Sequence, residues 1–357
     1  GLYSLYDATT GDRNDAFGSY TLANLTTGTQ NAAFGGWALH DVTTGNYNTA
    51  CGYGSLNANT ASYNTAVGHS ALLVNTSGQK NTAVGNYSLD ANTTGNNNTA
   101  LGYAALSSHT TGSGNVACGM AALQTCTTGS NNVAIGLDSL DSLTTAAANI
   151  AIGKEAGKEI TTGEYNTCIG HRAGYENNSI TDGTRNVILG AYCGPSSAGG
   201  YDQIVLGYNV IGAGHTHLTF GNAGTDTACS YGATSWSAPS DVRLKEDIED
   251  EKVGLDFINE LRPVTYRWKK EKDVPIDLKA HGSGTEKRVM NGKYNHGFIA
   301  QEVKEVLDKN PDIKEGFDMW SEDEIDGRQR IGETALIPLL VKAVQELSAK
   351  VTALEAK

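Results

Sequence analysis

Asn64-Thr65-Ala66-Val67-Gly68 and, 17 residues on, Asn81-Thr82-Ala83-Val84-Gly85 are two copies of one motif that runs through the first half of the chain. Its asparagine recurs at 14, 31, 48, 64, 81, 98, 115, 132, 149, 166 and 186, at intervals of 17 residues except for one of 16 and a last one of 20. Weaker copies follow at 203–207 and 217–221. A fixed period of this size marks an array of stacked units, because one short unit cannot bury its own apolar face and relies on its neighbours to do so. Gly1 lies 17 residues before Gly18, so the chain opens within a repeat, and either truncation or an upstream domain is expected.

Each position of the motif has its own chemistry. The third residue is Ala in nine copies, Ala16 to Ala151, then Cys168 and Ile188. The fourth is Phe17, Phe34, Cys51, Val67, Val84, Leu101, Cys118, Ile135, Ile152, Ile169 and Leu189, and the fifth is always Gly. Successive strand residues face opposite sides, so we expect the large fourth side chains to fill a core while the small third ones allow close packing behind. Leu22, Leu39, Leu56, Leu72, Leu89, Leu106, Leu123 and Leu140, each four residues after the glycine, form a second apolar column. Thr-Thr-Gly or a relative then turns the chain, with Gly supplying positive φ. Cys51, Cys118 and Cys168 are read as buried free thiols filling apolar space. The asparagine column reads as a ladder whose amides satisfy one another and the backbone at coil corners. The predicted fold is mainly β over 1–190, a parallel β-solenoid or β-roll with one coil per repeat. Divergent repeats and a stem or linker occupy 191–239, and a small α+β domain over 240–357 ends in a coiled-coil helix.

Charge divides the chain at the same place. Residues 1–239 carry 6 Lys+Arg and 14 Asp+Glu, leaving 20 and 25 for residues 240–357. Binding a polyanion requires clustered Lys and Arg, so nucleic acid is excluded as a partner. No run of about 18 apolar residues exists, so no helical membrane insertion is expected. The 6 cysteines show no CxxC spacing, and neither zinc, a disulfide framework nor any cofactor is indicated. His215 and His217 would face one side of a strand, a His-x-His pair that could bind a metal if several chains brought their imidazoles together. Without a further ligand, surface histidines are the simpler reading.

Beyond the array, Leu255, Ile258 and Leu261 have helical spacing and Pro263 stops the helix. Residues 264–268 alternate as a strand, 297–299 read as a second strand, and 301–307 as a helix with Val303 and Leu307 inward. The last helix carries Ile337, Leu340, Val344, Leu347, Val351 and Leu354 at spacings of 3, 4, 3, 4 and 3, an a/d seam that implies partner helices.

Three segments then carry a resemblance: Ser240-Asp241-Val242-Arg243-Leu244-Lys245, Leu261-Arg262-Pro263-Val264, and Gly297-Phe298-Ile299-Ala300-Gln301-Glu302-Val303. They resemble the C-terminal intramolecular chaperone autoprocessing domain of phage tailspikes, tail fibres and endosialidases. The resemblance implies a homotrimer in which the domain helps the upstream fibre fold and then cuts itself off in front of the serine. It also implies a virion tail fibre or spike, folded in the host cytoplasm, that binds a host cell-surface receptor or glycan. The array itself resembles the β-roll heads of trimeric adhesins, with a longer repeat.

The residues suit a single-turnover serine peptidase. Ser240 can attack the carbonyl of Pro239, moving the acyl group from nitrogen to oxygen for water to hydrolyse, while Lys245 takes the hydroxyl proton. An ordinary lysine, with a pKa of about 10.4, is protonated at neutral pH, so burial or a nearby cation such as Arg243 must favour its neutral form. Residues five apart face away from each other on a helix or a strand, so a bend or a second chain has to join them. The alternative, a glycan-depolymerising tailspike enzyme, requires paired carboxylates in a cleft, and the array offers only scattered acids such as Asp90, Asp138 and Asp141. A bacterial cell-surface trimeric adhesin, the third reading, would need a membrane anchor.

Overall fold

In the computed structural model of the chain, the described residues are 1–356 apart from 177, 224, 233–239, 241, 243–244, 279, 283, 291, 311–312, 314–318 and 323–326. They form two compact units, Gly1–Asp241 and Val242–Lys357. The first is a parallel β-solenoid. Each copy of the motif supplies one three-residue strand, from β1 (Asp15–Phe17) and β2 (Ala32–Phe34) through β5 (Thr82–Val84) to β11 (Val187–Leu189). Adjacent strands pair in parallel with like residues opposite like, as in Ala66↔Ala83 and Val67↔Val84. β12 (Ile204–Tyr208) and β13 (His217–Asn222) continue the ladder, so the weak copies at 203–207 and 217–221 are true rungs.

The expected orientation of the strand is reversed. The third residues point inward, with Ala33, Ala50, Ala66, Ala83, Ala100, Ala117, Ala134 and Ala151 fully buried. The fourth residues lie on the outer surface, half-exposed to exposed. Parity explains the reversal: the motif asparagine is itself buried, and in a strand the residue two positions on shares its face. Asn and Ala therefore line the interior together, opposite the buried leucine column. The cysteines follow their slots. Cys168, in an Ala slot, is buried, whereas Cys51 is exposed and Cys118 half-exposed, so the last two are not core thiols.

The buried leucines take an uncommon backbone. Leu22, Leu39, Leu56, Leu72, Leu89, Leu106, Leu123 and Leu140 all sit at φ between 50° and 54°. Left-handed geometry costs a non-glycine residue about 1–2 kcal/mol, against about 1.5–3 kcal/mol gained by burying a leucine side chain. The hydrogen bond from Leu39 N to Ser55 O, 3.0 Å, and its equivalents in other coils tip the balance further. The fifth residue must be glycine for two reasons at once. Gly68 has φ +133°, and a Cβ there would lie 2.6 Å from the carbonyl of Gly85 in the next coil.

Within 191–239, the stem or linker expected after the divergent repeats contains a strand. β14 (Thr225–Ser230) turns back on β13 and pairs antiparallel with it from His217↔Ser230 to Asn222↔Thr225. Thr-Asp-Thr-Ala-Cys-Ser alternates well enough for a strand, and pairing satisfies the edge of β13 that the stacking leaves open.

The second unit comprises α1 (Leu255–Glu260), β15 (Val264–Tyr266), β16 (Asn295–Gly297), α2 (Ala300–Lys309), β17 (Trp320–Glu322), β18 (Gln329–Ile331) and α3 (Leu336–Glu355). Its core gathers Phe257, Leu261, Val303, Met319, Leu336 and Leu339. The second strand, expected at 297–299, lies two residues earlier because Val264 pairs with Gly297 in the antiparallel β15–β16 ladder.

Two expectations follow for the solenoid. Ala100→Leu should lower stability by about 1–3 kcal/mol through overpacking, and Leu106→Ala by about 2–5 kcal/mol through the cavity it leaves, both read by denaturant titration. A harmless Ala100→Leu would refute the inward assignment. His109 interrupts a second buried column, Asn59, Asn75 and Asn92, with Cys126 next. Its Nε2 lies 2.8 Å from Gly112 O, where Asn75 Nδ2 contacts Gly78 O in its own coil, and Nδ1 lies 3.3 Å from Cys126 O. Burial pushes its pKa below the ordinary histidine value. The unfolded chain therefore binds the proton more readily, and this contribution to stability is lost as pH falls below about 6.5. Cooling of the melting temperature between about pH 7.5 and about pH 5.5 should be smaller in His109→Asn than in the parent. Equal pH dependence in the two proteins would show that His109 does not titrate in this way.

Candidate self-processing site and assembly helix

The boundary between the two compact units falls inside the Ser240–Lys245 segment, after Asp241. Ser240 is exposed at the end of the first unit. Lys245 is exposed near the start of the second, and its backbone N–H donates to Val242 O at 3.2 Å. Pro239, Asp241, Arg243 and Leu244 lie outside the described residues.

The other two family-like segments meet within the second unit. Arg262, which follows the buried Leu261 at the end of α1, makes a two-pronged ion pair with Glu302 in the first turn of α2: its Nε donates to Oε2 at 2.9 Å and its Nη2 donates to Oε1. The pair holds the Glu302 carboxyl below the usual carboxylate range. Because both groups face solvent, its value is orientation more than stability. Reading the sequence missed this link, 40 residues long in chain terms. Its signal was the presence of one charge of each sign in the two segments.

A second link joins α1 to the last helix. The backbone N–H of Leu255 donates to Glu346 Oε2 on α3 at 3.0 Å, so a carboxylate from a distant helix satisfies a donor at the start of α1. Gly254 makes room for it, since a Cβ there would lie 2.7 Å from that oxygen. Anything that holds α3 in place therefore also holds the start of α1.

α3 presents two apolar faces. Leu336, Leu339 and Ala343 are buried against the unit's own core. Ile337, Leu340, Val344, Leu347, Val351 and Leu354 point the other way, with Ile337 59%, Val344 65% and Leu354 69% exposed. A helix that only served its own globule would be polar on that side.

His215 and His217 are engaged within the chain. The His215 ring stacks on Tyr201 at 4.2 Å between centroids, and its Nδ1 accepts from Tyr201 N at 3.2 Å. His217 Nδ1 faces His215 O at 2.7 Å and its Nε2 faces Ser230 Oγ at 2.7 Å. Both nitrogens of His217 thus have partners, and no group of three or more metal-ligating side chains occurs among the described residues. Of the scattered acids, Asp138 pairs with Lys158 Nζ at 3.0 Å, while burial pushes the carboxyls of Asp90 and Asp141 up. No described helix is long and apolar enough to cross a membrane.

Comparison with known proteins adds one finding. No curated protein and no solved structure matches the chain. A family does match, and its boundaries coincide with the features above: residues 240–310, from Ser240 through the Arg262–Glu302 pair to the end of α2, fit the peptidase family described as the chaperone of endosialidase.

Proposed function

We propose that this chain is the shaft and C-terminal chaperone of a homotrimeric phage-type tail fibre or spike, and that the chaperone releases itself by cutting the Pro239–Ser240 bond. The observation that carries this reading is where the family match begins. Its first residue is Ser240, the nucleophile that the chemistry needs, next to the boundary between two compact units. A cut there would part the solenoid from the chaperone without opening either fold.

In the proposed reaction Ser240 Oγ attacks the carbonyl carbon of Pro239 and the C–N bond breaks. The acyl group passes to Oγ, and Lys245 Nζ takes the hydroxyl proton and returns it to the departing nitrogen. Water then hydrolyses the ester, leaving a carboxylate on Pro239 and a free amino terminus on Ser240. A lysine accepts a proton only as the neutral amine, and burial favours that form. Ser240 and Lys245 are both exposed in the single chain, so on this reading a neighbouring chain would supply the burial, or a cation such as Arg243 would take its place. With burial from a neighbour, cutting would wait for assembly. The exposed seam of α3 supports the same requirement, since an a/d stripe of this length is stable in water only against partner helices.

On this reading, residues 1–190 form the shaft, 191–239 the divergent last rungs and the connection, and 240–357 the chaperone. The protein is a virion component that meets a host cell-surface receptor or glycan. Once the chaperone has left, the shaft would be held by an unfolding barrier that it could no longer recross on refolding.

Intact mass under denaturing conditions should show fragments 1–239 and 240–357, and Ser240→Ala and Lys245→Ala should each stay whole yet assemble. Processing of Ser240→Ala at the same bond would sink the dyad. Leu347→Asp on α3 should cut the yield of soluble trimer at least severalfold during expression, because a charge in the seam loses its apolar contacts. An unchanged yield would remove the coiled coil from the account.

A further inference from the structure

We propose that the outer face of β1–β11 is the surface on which two further copies of this chain sit, running parallel, so that each rung meets the same rung of its neighbours. This rests on the trimer reading and adds to it the identity and register of the interface in the shaft.

The face consists of two columns, the second and fourth residues of each strand. The fourth-residue column runs Phe17, Phe34, Cys51, Val67, Val84, Leu101, Cys118, Ile135, Ile152, Ile169 and Leu189, with Phe17 74% and Phe34 49% exposed. The second-residue column is Thr, Ala, Val or Ile at every rung after Asp15. Eleven rungs spaced by about 4.8 Å give a strip about 50 Å long, and with flanking side chains about 15 Å wide. The resulting area of about 750 Å² is larger than the apolar patch a monomer usually shows and close to the ~800 Å² per partner of a stable interface.

Three properties identify the occupant as this chain itself. A surface that repeats every rung over about 50 Å is matched along its whole length by a body with the same repeat, and a second solenoid has it. Apart from Asp15 at the first rung the two columns carry no charge, so identical faces meet without opposing like charges. Finally, α3 presents its own uncovered apolar seam, so both units carry a surface suited to copies of themselves. In a closed assembly of three, rotation about one axis keeps all chains pointing the same way. Like rungs then converge, and Cys51 of one chain faces Cys51 of the next, as Cys118 faces Cys118.

These two thiols make the test. They differ from Cys126 and Cys168, which burial seals inside the coil with pKa values pushed up to about 11 and about 12. In an uncut Ser240→Ala, Cys229→Ser background, two proteins are made, one with Cys51→Ser and one with Cys118→Ser, and each is treated with a short bismaleimide. Both should give cross-linked dimers on a denaturing gel, and both should sediment at three times 37.5 kDa before treatment. Cross-linking only when both thiols are present would mean antiparallel faces and would overturn the register. Trimers that do not cross-link at either thiol would overturn the face while leaving the trimer intact. Monomers with a folded solenoid would sink both readings. As a second arm, Ile135→Asp should keep the far-ultraviolet circular dichroism of the parent and weaken association at least tenfold. Unchanged association would count against the face, and should this variant fail to fold, the cross-linking arms decide.

Discussion

The hydrogen bond from each buried asparagine to the next coil is the constraint on which the solenoid depends. Asn31 N donates to Asn14 Oδ1 at 3.0 Å, and Asn31 Nδ2 donates to Gly45 O at 2.9 Å, so one residue ties three consecutive coils. Left unpaired, each of these buried groups would cost about 1–3 kcal/mol. The ladder is held even where the spacing changes. Across the short 16-residue interval Asn64 N still reaches Asn48 Oδ1 at 3.0 Å, and across the long 20-residue interval Asn186 N reaches Asn166 Oδ1 at 3.1 Å. At the next rung a longer glutamine takes over, with Gln203 N donating to Asn186 Oδ1 at 3.2 Å. What is fixed is therefore the rung. Extra or missing residues are absorbed in the turns.

The rest of the coil follows from that inward amide. Once Asn is inside, the residue two positions on must be inside as well, and next to a leucine column there is room for little more than a methyl group. Alanine fills that slot in nine consecutive coils. The large apolar residues are displaced to the outer face, where a single chain gains little from them. A glycine must follow, because the coils approach so closely that a Cβ at Gly85 would lie 2.3 Å from the carbonyl oxygen of Gly102. Interior and exterior are thus settled by hydrogen bonding first and by hydrophobicity second.

This ordering also explains what the sequence could and could not disclose. The period, the stacked coil, the asparagine ladder and the leucine column were legible, since each rests on a repeat read directly from residue identities. The direction of the strand was misread because size and apolarity were weighed ahead of parity with Asn. β14 was missed because Thr225–Ser230 is one short alternating stretch with no repeat behind it. In the second unit the helices at 255–260 and 300–309 and the outward seam of α3 follow ordinary apolar spacing. The Arg262–Glu302 pair and the Leu255–Glu346 bond do not, because they join residues 40 and 91 positions apart and depend on how the unit closes on itself. Ser240 and Lys245 are proposed from their chemistry and neighbours in sequence, and no periodicity bears on them.

The repetition that stabilises the array also creates a difficulty in assembly, and this suggests why such a chain would carry a chaperone. On the proposed interface, a neighbour displaced by one rung, about 4.8 Å, still sets apolar side chains against apolar side chains. Register is weakly specified wherever a face repeats without interruption. The outer column is nearly uniform from Val67 to Leu189, and the aromatic rungs at Phe17 and Phe34 lie at one end only. The seam of α3 is different. It runs for six positions through Ile337, Leu340, Val344, Leu347, Val351 and Leu354, and a slip there would leave part of so short a stripe in water. A short segment that pairs in one register can therefore align long ones that could pair in many. After alignment the proposed shaft interface would hold by its own area, and losing the aligning segment would remove a route back to misregistered states without removing the contacts that keep the shaft together.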